Sequence, residues 1–457
     1  MFYSLLWKAA RPFLRKRLRD GFAERLVPPS WPFTPSMQVE QSSPVSMPVP
    51  NSPCQLWIQA ASGGEAYLCL ELLRLLSLMP LSHISLSPDN RQQNKLHVLC
   101  TTCTRQGLDI LLKARAEFSG KDISVTINYL PLDEPTLMNR AVRQVFGDND
   151  KEGNRLLVLL ETEIWPGLIA ACRGAGVRVL IINARMSPGS YRGYKFLVPL
   201  LRVSAPQEIL AVSQDDLLRF QRVFIKTRNC GIMPNMKFDR INKDLLSGLN
   251  QTKMSPGNNP GLIVLGSVRE EEEQLLLPFM RELMRFPLVI APRHMQRVEA
   301  WSAALQQSGL AFIKRSAFAD FAEVEYRAGR IVLWDVFGEL GRLYGEADAV
   351  FVGGSLAPLG GQNFLEPIAC GVCPCIGPYW NNFHWVGQEI FDLGLVTQVQ
   401  DAQELVRFLL HSAQKHRPKS EVAQSFRQYL NPRLGGTKLA ADTIFGLLAK
   451  PEPAKRW

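Results

Sequence analysis

No stretch of this 457-residue chain approaches the ~18–20 consecutive apolar residues that a bilayer-spanning helix requires. It lacks the composition of a disordered or fibrous protein, being 46% hydrophobic and 21% charged. Its nine cysteines are an odd number, scattered through apolar segments without a dense framework. That excludes a disulfide scaffold and points to a reducing compartment. The two short clusters, Cys100/Cys103 and Cys370/Cys373/Cys375, lack the paired tetrad of a structural zinc site and read as small buried fillers. There is no G-x-x-x-x-G-K-[ST], which excludes a P-loop ATPase, and no complete dinucleotide fingerprint, which argues against a dehydrogenase.

What the chain does have is uneven charge. Lys and Arg number 52 against 42 Asp and Glu, a net +10. The first 26 residues hold seven basic and two acidic side chains, so half of that excess sits there. Phe2, Tyr3, Leu5, Leu6, Trp7, Phe13 and Leu14 are interleaved with the charges. Lys8 and Arg11 break the apolar run, which a secretory signal would keep whole. The pattern suits a basic amphipathic helix resting on an anionic membrane surface, with nucleic-acid binding and an ordinary packed helix as the competing readings. Residues 27–54 are rich in Pro and Ser and read as a connector.

From residue 55 the chain alternates apolar runs with helical patterns. Strands are expected at 56–61, 96–101, 125–130, 156–160, 177–182 and 209–212. A polar, Gly/Asn-rich linker at 241–260 follows, and the rhythm restarts at 262–265, 288–291, 311–314, 331–333, 349–352 and 372–376. This predicts an α/β protein with two Rossmann-like domains, at 55–240 and 261–430, facing across a cleft, and a C-terminal helix and tail at 431–457. Ligands of such sheets bind beyond the carboxyl ends of the strands.

The chemically suggestive residues fall at those ends. Glu65 follows Ser62-Gly63-Gly64 at a helix start, as either a base for a hydroxyl nucleophile or a complement to the helix dipole. Glu161 and Glu163 follow the strand at 156–160, and Arg185 and Arg192 come shortly after the next strand. These arginines suit phosphate groups, although solvated surface arginines look the same in sequence. In the second half stand Pro292-Arg293-His294, Gly338-Glu339-Leu340, Gly353-Gly354-Ser355 and Asn363 through Glu366. Glycine-rich turns at helix starts suit a nucleotide, with backbone amides on phosphate and a carboxylate on a ribose diol. Asp148-Asn149-Asp150 has the form of a metal-holding Asp-x-Asp but reads as turn chemistry.

Taken in order, these motifs resemble the Kdo (3-deoxy-D-manno-octulosonic acid) transferases of lipopolysaccharide synthesis. The resemblance rests on Ala61-Ser62-Gly63-Gly64-Glu65, Glu161-Thr162-Glu163-Ile164-Trp165-Pro166, Asn183-Ala184-Arg185-Met186-Ser187 with Arg192-Gly193-Tyr194, and Asn235-Met236-Lys237-Phe238-Asp239, together with the second-half motifs. It implies a GT-B glycosyltransferase that moves Kdo from CMP-Kdo to a lipid A precursor with inversion, using neither cofactor nor protein-bound metal. Glu65 would be the base, with Glu161 and Glu163 beside it. Ser267, Arg293, His294, Gly338, Glu339, Asn363 and Glu366 would bind the donor. Ser62, Gly63, Gly64, Arg185 and Arg192 would face the acceptor, with the arginines on lipid A phosphates. The resemblance further implies a peripheral or monotopic protein at the cytoplasmic face of the bacterial inner membrane, held there through residues 1–26, and no nucleic-acid partner. Gln59, Gly63, Gln362 and Phe364 stand where the family commonly has His, Val, His or Arg, and Pro. The alternatives are transfer of another CMP-activated acidic sugar, or a membrane-binding member without catalysis.

Overall fold

The computed structural model describes residues 24–27, 31–32, 54–84, 95–147, 155–201, 205–227, 229–241 and 261–449. Most of the basic segment and connector, the Asp148–Asp150 turn and nearly all of the 241–260 linker lie outside the described residues. Among the described residues, one compact unit ends at Asp239 and takes up the chain again from Leu434; the other lies between them.

The first unit is a seven-stranded parallel sheet of β1 (Leu56–Gln59), β2 (Leu96–Thr102), β3 (Ile123–Tyr129), β4 (Leu156–Leu160), β5 (Arg178–Ala184), β6 (Glu208–Ala211) and β7 (Asn229–Ile232). The strand order is β3-β2-β1-β4-β5-β6-β7. β1, β2, β4 and β5 are buried along their whole length, as expected of strands covered by helices on both faces. Alternate residues feed two cores: Leu56 and Ile58 pack with the helix Gly63–Leu76, and Trp57 packs with the helices Pro135–Phe146 and Pro166–Gly174. The chain leaves β1 toward β2 and leaves β4 toward β5, so the crevice for a ligand opens between β1 and β4.

Two expectations about the start of the chain need correction. Arg25, counted among the membrane-facing cations, is 5% exposed. Its Nη1 donates to Leu130 O (3.2 Å), its Nη2 donates to Cys103 O (2.7 Å), and its guanidinium lies over the Tyr129 ring. Trp31, in the expected connector, is buried with its ring 5.7 Å from Trp57, because an indole gains more inside this core than in water. At the other end, the helix Gly436–Ala449 packs on the helix Gly63–Leu76 within the first unit. The Asp239 carboxylate fixes its start by accepting from Gly435 N (2.7 Å), Thr437 N (2.6 Å) and Thr437 Oγ1 (2.7 Å).

The second unit repeats the plan with β8 (Ile263–Val268), β9 (Leu288–Pro292), β10 (Phe312–Lys314), β11 (Ile331–Leu333), β12 (Ala349–Val352), β13 (Pro374–Ile376) and β14 (Thr397–Gln398). All pairings are parallel, in the order β10-β11-β9-β8-β12-β13-β14. Here the connections diverge between β8 and β12. No helix of the described residues is long and apolar enough to cross a membrane.

Candidate active site

In the first unit, three carboxylates gather where β1 and β4 end. Ser62 caps the helix Gly63–Leu76: its Oγ accepts from Glu65 N (3.4 Å), and Glu65 Oε2 accepts from Ser62 N (3.1 Å). This capping box locks the Glu65 carboxylate beside the strand end. Burial raises the Glu65 proton affinity, and the charge of Glu161 adds to that. The Ser62 and Ala61 amides and the Lys237 ammonium oppose the rise. Gly63 is not open to an acceptor as expected, because a Cβ there would meet Gln106 Cδ at 2.8 Å. Gly64 is exposed, and a Cβ would find only Ser62 Oγ, at 3.8 Å.

Glu163 is pushed up to about 7, first by burial and then by the charge of Glu65. Its Oε2 accepts from Trp165 Nε1 (2.5 Å) and Gln59 Nε2 (3.4 Å), and these bonds hold the rise down. A raised carboxyl pair beside a crevice is the arrangement that acid–base chemistry near neutrality needs.

Glu161, expected beside the base, faces two cations. It sits at φ 58, in the left-handed region, and its carboxylate is 2.6 Å from Lys237 Nζ and 3.7 Å from Arg185 Nη1. Asn183, also left-handed at φ 51, donates to it at 3.4 Å and accepts from Met236 N at 2.9 Å. A carboxylate committed to two cations is a counter-ion rather than a free base. Arg192 is exposed, next to exposed Lys195 and to Phe196, whose side chain is 86% exposed. Sequence reasoning quoted the motif containing Lys237 but gave that residue no role; nothing in its spacing ties it to Glu161.

In the second unit a cleft of about 330 Å³ opens at the carboxyl ends of β8, β9 and β11. Ser267, Arg293, Gly338, Asn363 and Glu366 line it, together with Met295, Trp334 and Phe337. Ser267, the penultimate residue of β8, sits at φ 54. Its preceding Gly266 is required by close packing, since a Cβ would stand 2.2 Å from Tyr344 Oη. Arg293 is exposed and has no carboxylate partner among the described residues. Asn363 Oδ1 accepts from Leu365 N (3.2 Å), and its Nδ2 donates to Glu366 Oε1 (2.8 Å), which fixes that carboxylate.

Two expected donor residues flank the cleft lining without being part of it. Glu339 is gripped by Arg315, which donates Nε at 3.0 Å and Nη2 at 2.9 Å, a two-point pair. His294 is exposed and does not line the cleft. The expected phosphate-binding amides are also taken. Glu272, wholly buried, accepts from Gly354 N (2.7 Å), Ser355 N (2.9 Å), Leu356 N (2.9 Å) and Arg269 N (3.0 Å). An internal carboxylate thus fills the anion nest that the glycines create. A smaller cavity of about 160 Å³ contains Arg417 and Lys419, whose charges rest on the carbonyls of Leu393, Gly394 and Gly345.

Comparison with known proteins agrees with these motifs. Residues 32–240 match a family model described as 3-deoxy-D-manno-octulosonic-acid transferase (kdotransferase). A 3-deoxy-D-manno-octulosonic acid transferase of Haemophilus influenzae is 28% identical, with 77% of each chain aligned. A bifunctional glycosyltransferase/methyltransferase of Fusobacterium nucleatum is 26% identical over 93% of this chain; the chain spans 60% of that protein's length. Among solved structures, Anabaena HepE in complex with UDP superposes with a TM-score of 0.50 at 15% identity, covering 86% of this chain and 100% of HepE. The two parallel-sheet units are those of the GT-B fold.

Proposed function

We propose that this chain, whose residues 32–240 match the Kdo transferase family model, transfers Kdo from CMP-Kdo to a hydroxyl of a lipid A precursor, with inversion at the anomeric carbon. The observation that carries this reading is Glu65. It is a capped, half-buried carboxylate with raised proton affinity at the β1/β4 crevice. In the proposed step the acceptor oxygen forms a bond to the anomeric carbon while its proton passes to Glu65. The bond from that carbon to the CMP phosphate breaks, and the electron pair leaves with CMP. Arg293 supplies the positive charge that the leaving phosphate requires, and Glu366, fixed by Asn363, is placed for a ribose diol. The step uses no metal.

The acceptor reading is supported by exposed Arg192, Lys195 and Phe196, which together offer phosphate-binding charge and an apolar contact. The same chemistry favours action at an anionic membrane surface, which we assign to the cytoplasmic face of the inner membrane. The test is CMP release and Kdo-bearing lipid formed from CMP-Kdo and a tetra-acylated precursor, with wild type beside Glu65→Gln. Loss of a general base is expected to lower turnover by about 10²–10⁴-fold while leaving CMP binding intact. Equal turnover by both proteins would reduce Glu65 to a helix cap.

A further inference from the structure

Behind the carboxylates lies a buried polar chain that the proposed reaction does not itself require. In the β1/β2 register Gln59 stands opposite Thr101, and Trp57, two residues earlier, projects to the same face as Gln59. All three are fully buried. Trp57 Nε1 donates to Thr101 Oγ1 at 2.7 Å, and Thr101 Oγ1 donates to Gln59 Oε1 at 2.6 Å. Gln59 Nε2 is then left facing Glu163 Oε2 at 3.4 Å and Cys103 Sγ at 3.5 Å.

The direction of this chain follows from its chemistry. An indole nitrogen only donates, so the Thr101 oxygen must accept from Trp57. A reversed Gln59 amide would strand the Thr101 hydroxyl proton in a dry site and turn a carbonyl oxygen toward a carboxylate. Both changes are costly, so the amide orientation is fixed. We propose that Trp57 and Thr101 lock the Gln59 amide so that its N–H holds the Glu163 carboxyl, making Gln59 a positioning residue for the Glu65/Glu163 pair. The inference deepens the reading above and rests on it for its place in the reaction.

An amide donor does not titrate, so the hold persists at every working pH. It favours the ionised form of Glu163 against the groups that oppose it. Those facing Glu163 are Glu65 on the helix Gly63–Leu76, Glu161 beside it, the Cys103 thiol after β2 and Tyr194 on the helix Pro188–Tyr194. Trp165 is the other donor, and Lys237 and Arg25 act at one remove through Glu161 and Cys103. Removing Gln59 therefore leaves Glu163 with the indole alone and raises its affinity for a proton.

The experiment is pH-difference infrared spectroscopy of the full chain, without substrate. It follows the carbonyl band of a protonated carboxyl, assigned to Glu163 by its disappearance in Glu163→Gln. In Gln59→Leu the midpoint of that band should move up by about one pH unit. Thr101→Val, which keeps the volume but frees the amide, should move it the same way by less. It serves as the test if far-ultraviolet circular dichroism shows that Gln59→Leu does not fold. An unchanged midpoint in whichever of these variants is folded overturns the proposal. The pH profile of CMP release should shift in parallel. If the wild type releases no CMP from CMP-Kdo, the functional reading fails while the infrared midpoint still decides the role of Gln59.

Discussion

Lys237 Nζ lies 2.6 Å from Glu161 Oε1, and this ion pair holds a carboxylate on a left-handed residue at the end of β4. A glutamate at φ 58 carries backbone strain, which persists only where surrounding contacts over-determine it. The contacts here are Lys237, Arg185 and the Asn183 amide, and Asn183 is itself tied to Met236 N. The Asn183-to-Lys237 motifs thus form one polar unit beneath Glu65.

Replacing Lys237 with Met should leave Glu161, whose side chain is 11% exposed, with only the longer contacts to Arg185 and the Asn183 amide. Weakening the compensation of a largely buried charge costs about 1–3 kcal/mol, so urea unfolding should register a loss of that order. Lys237 also lowers the proton affinity of Glu65. Its removal should therefore move the acidic limb of the activity profile upward. A variant as stable as wild type, with the acidic limb unmoved, would show that the pair matters neither to the fold nor to Glu65.

Glu272 invites a sharper test. Its carboxylate serves four amides in a site closed to water, and Gly354, Ser355 and Leu356 depend on it for their shape. Glu272→Ala should destabilise the protein by at least about 3 kcal/mol, since several buried donors lose their partner together. Glu272→Gln keeps the volume but sets an NH₂ group against N–H donors, and should be nearly as harmful. Calorimetric titration with CMP should show weakened binding in both. Full CMP affinity with normal stability would mean that the glycine-rich turn holds its shape unaided.

These two residues also show where sequence reading stops. The sheets were legible because strands covered on both faces are unbroken apolar runs, and 156–160, 331–333 and 349–352 coincide with β4, β11 and β12. β7 and β14 went unread because Asn229-Cys230-Gly231-Ile232 and Thr397-Gln398 carry no such run; each is an edge strand formed by pairing with its neighbour. Glu65 and Glu163 were visible as acids placed just after strands. The sequestered state of Glu161 and Glu339 was not, since Lys237 and Arg315 reach them through the fold and not through spacing. Glu272 lies in a run of four glutamates, where composition cannot say which one turns inward.

The raised carboxyl of Glu163 has a consequence for stability as well as chemistry. Its proton affinity rises from 4.5 to about 7 on folding, so between those values the native state binds more protons than the unfolded chain. Stability then falls as pH rises through that window, because each increment of ionisation is opposed by burial and by Glu65. The contribution is fully present below the unfolded value and is lost by pH ~7–8, a swing on the order of 3 kcal/mol at most. Glu163→Gln carries no such charge, so its unfolding free energy should be flatter across the window. It should equal or exceed that of wild type at mildly alkaline pH. The variant should also relieve the repulsion on Glu65. Urea titrations at several pH values decide the matter: parallel wild-type and variant curves would mean that Glu163 ionises in the fold as it does in the unfolded chain.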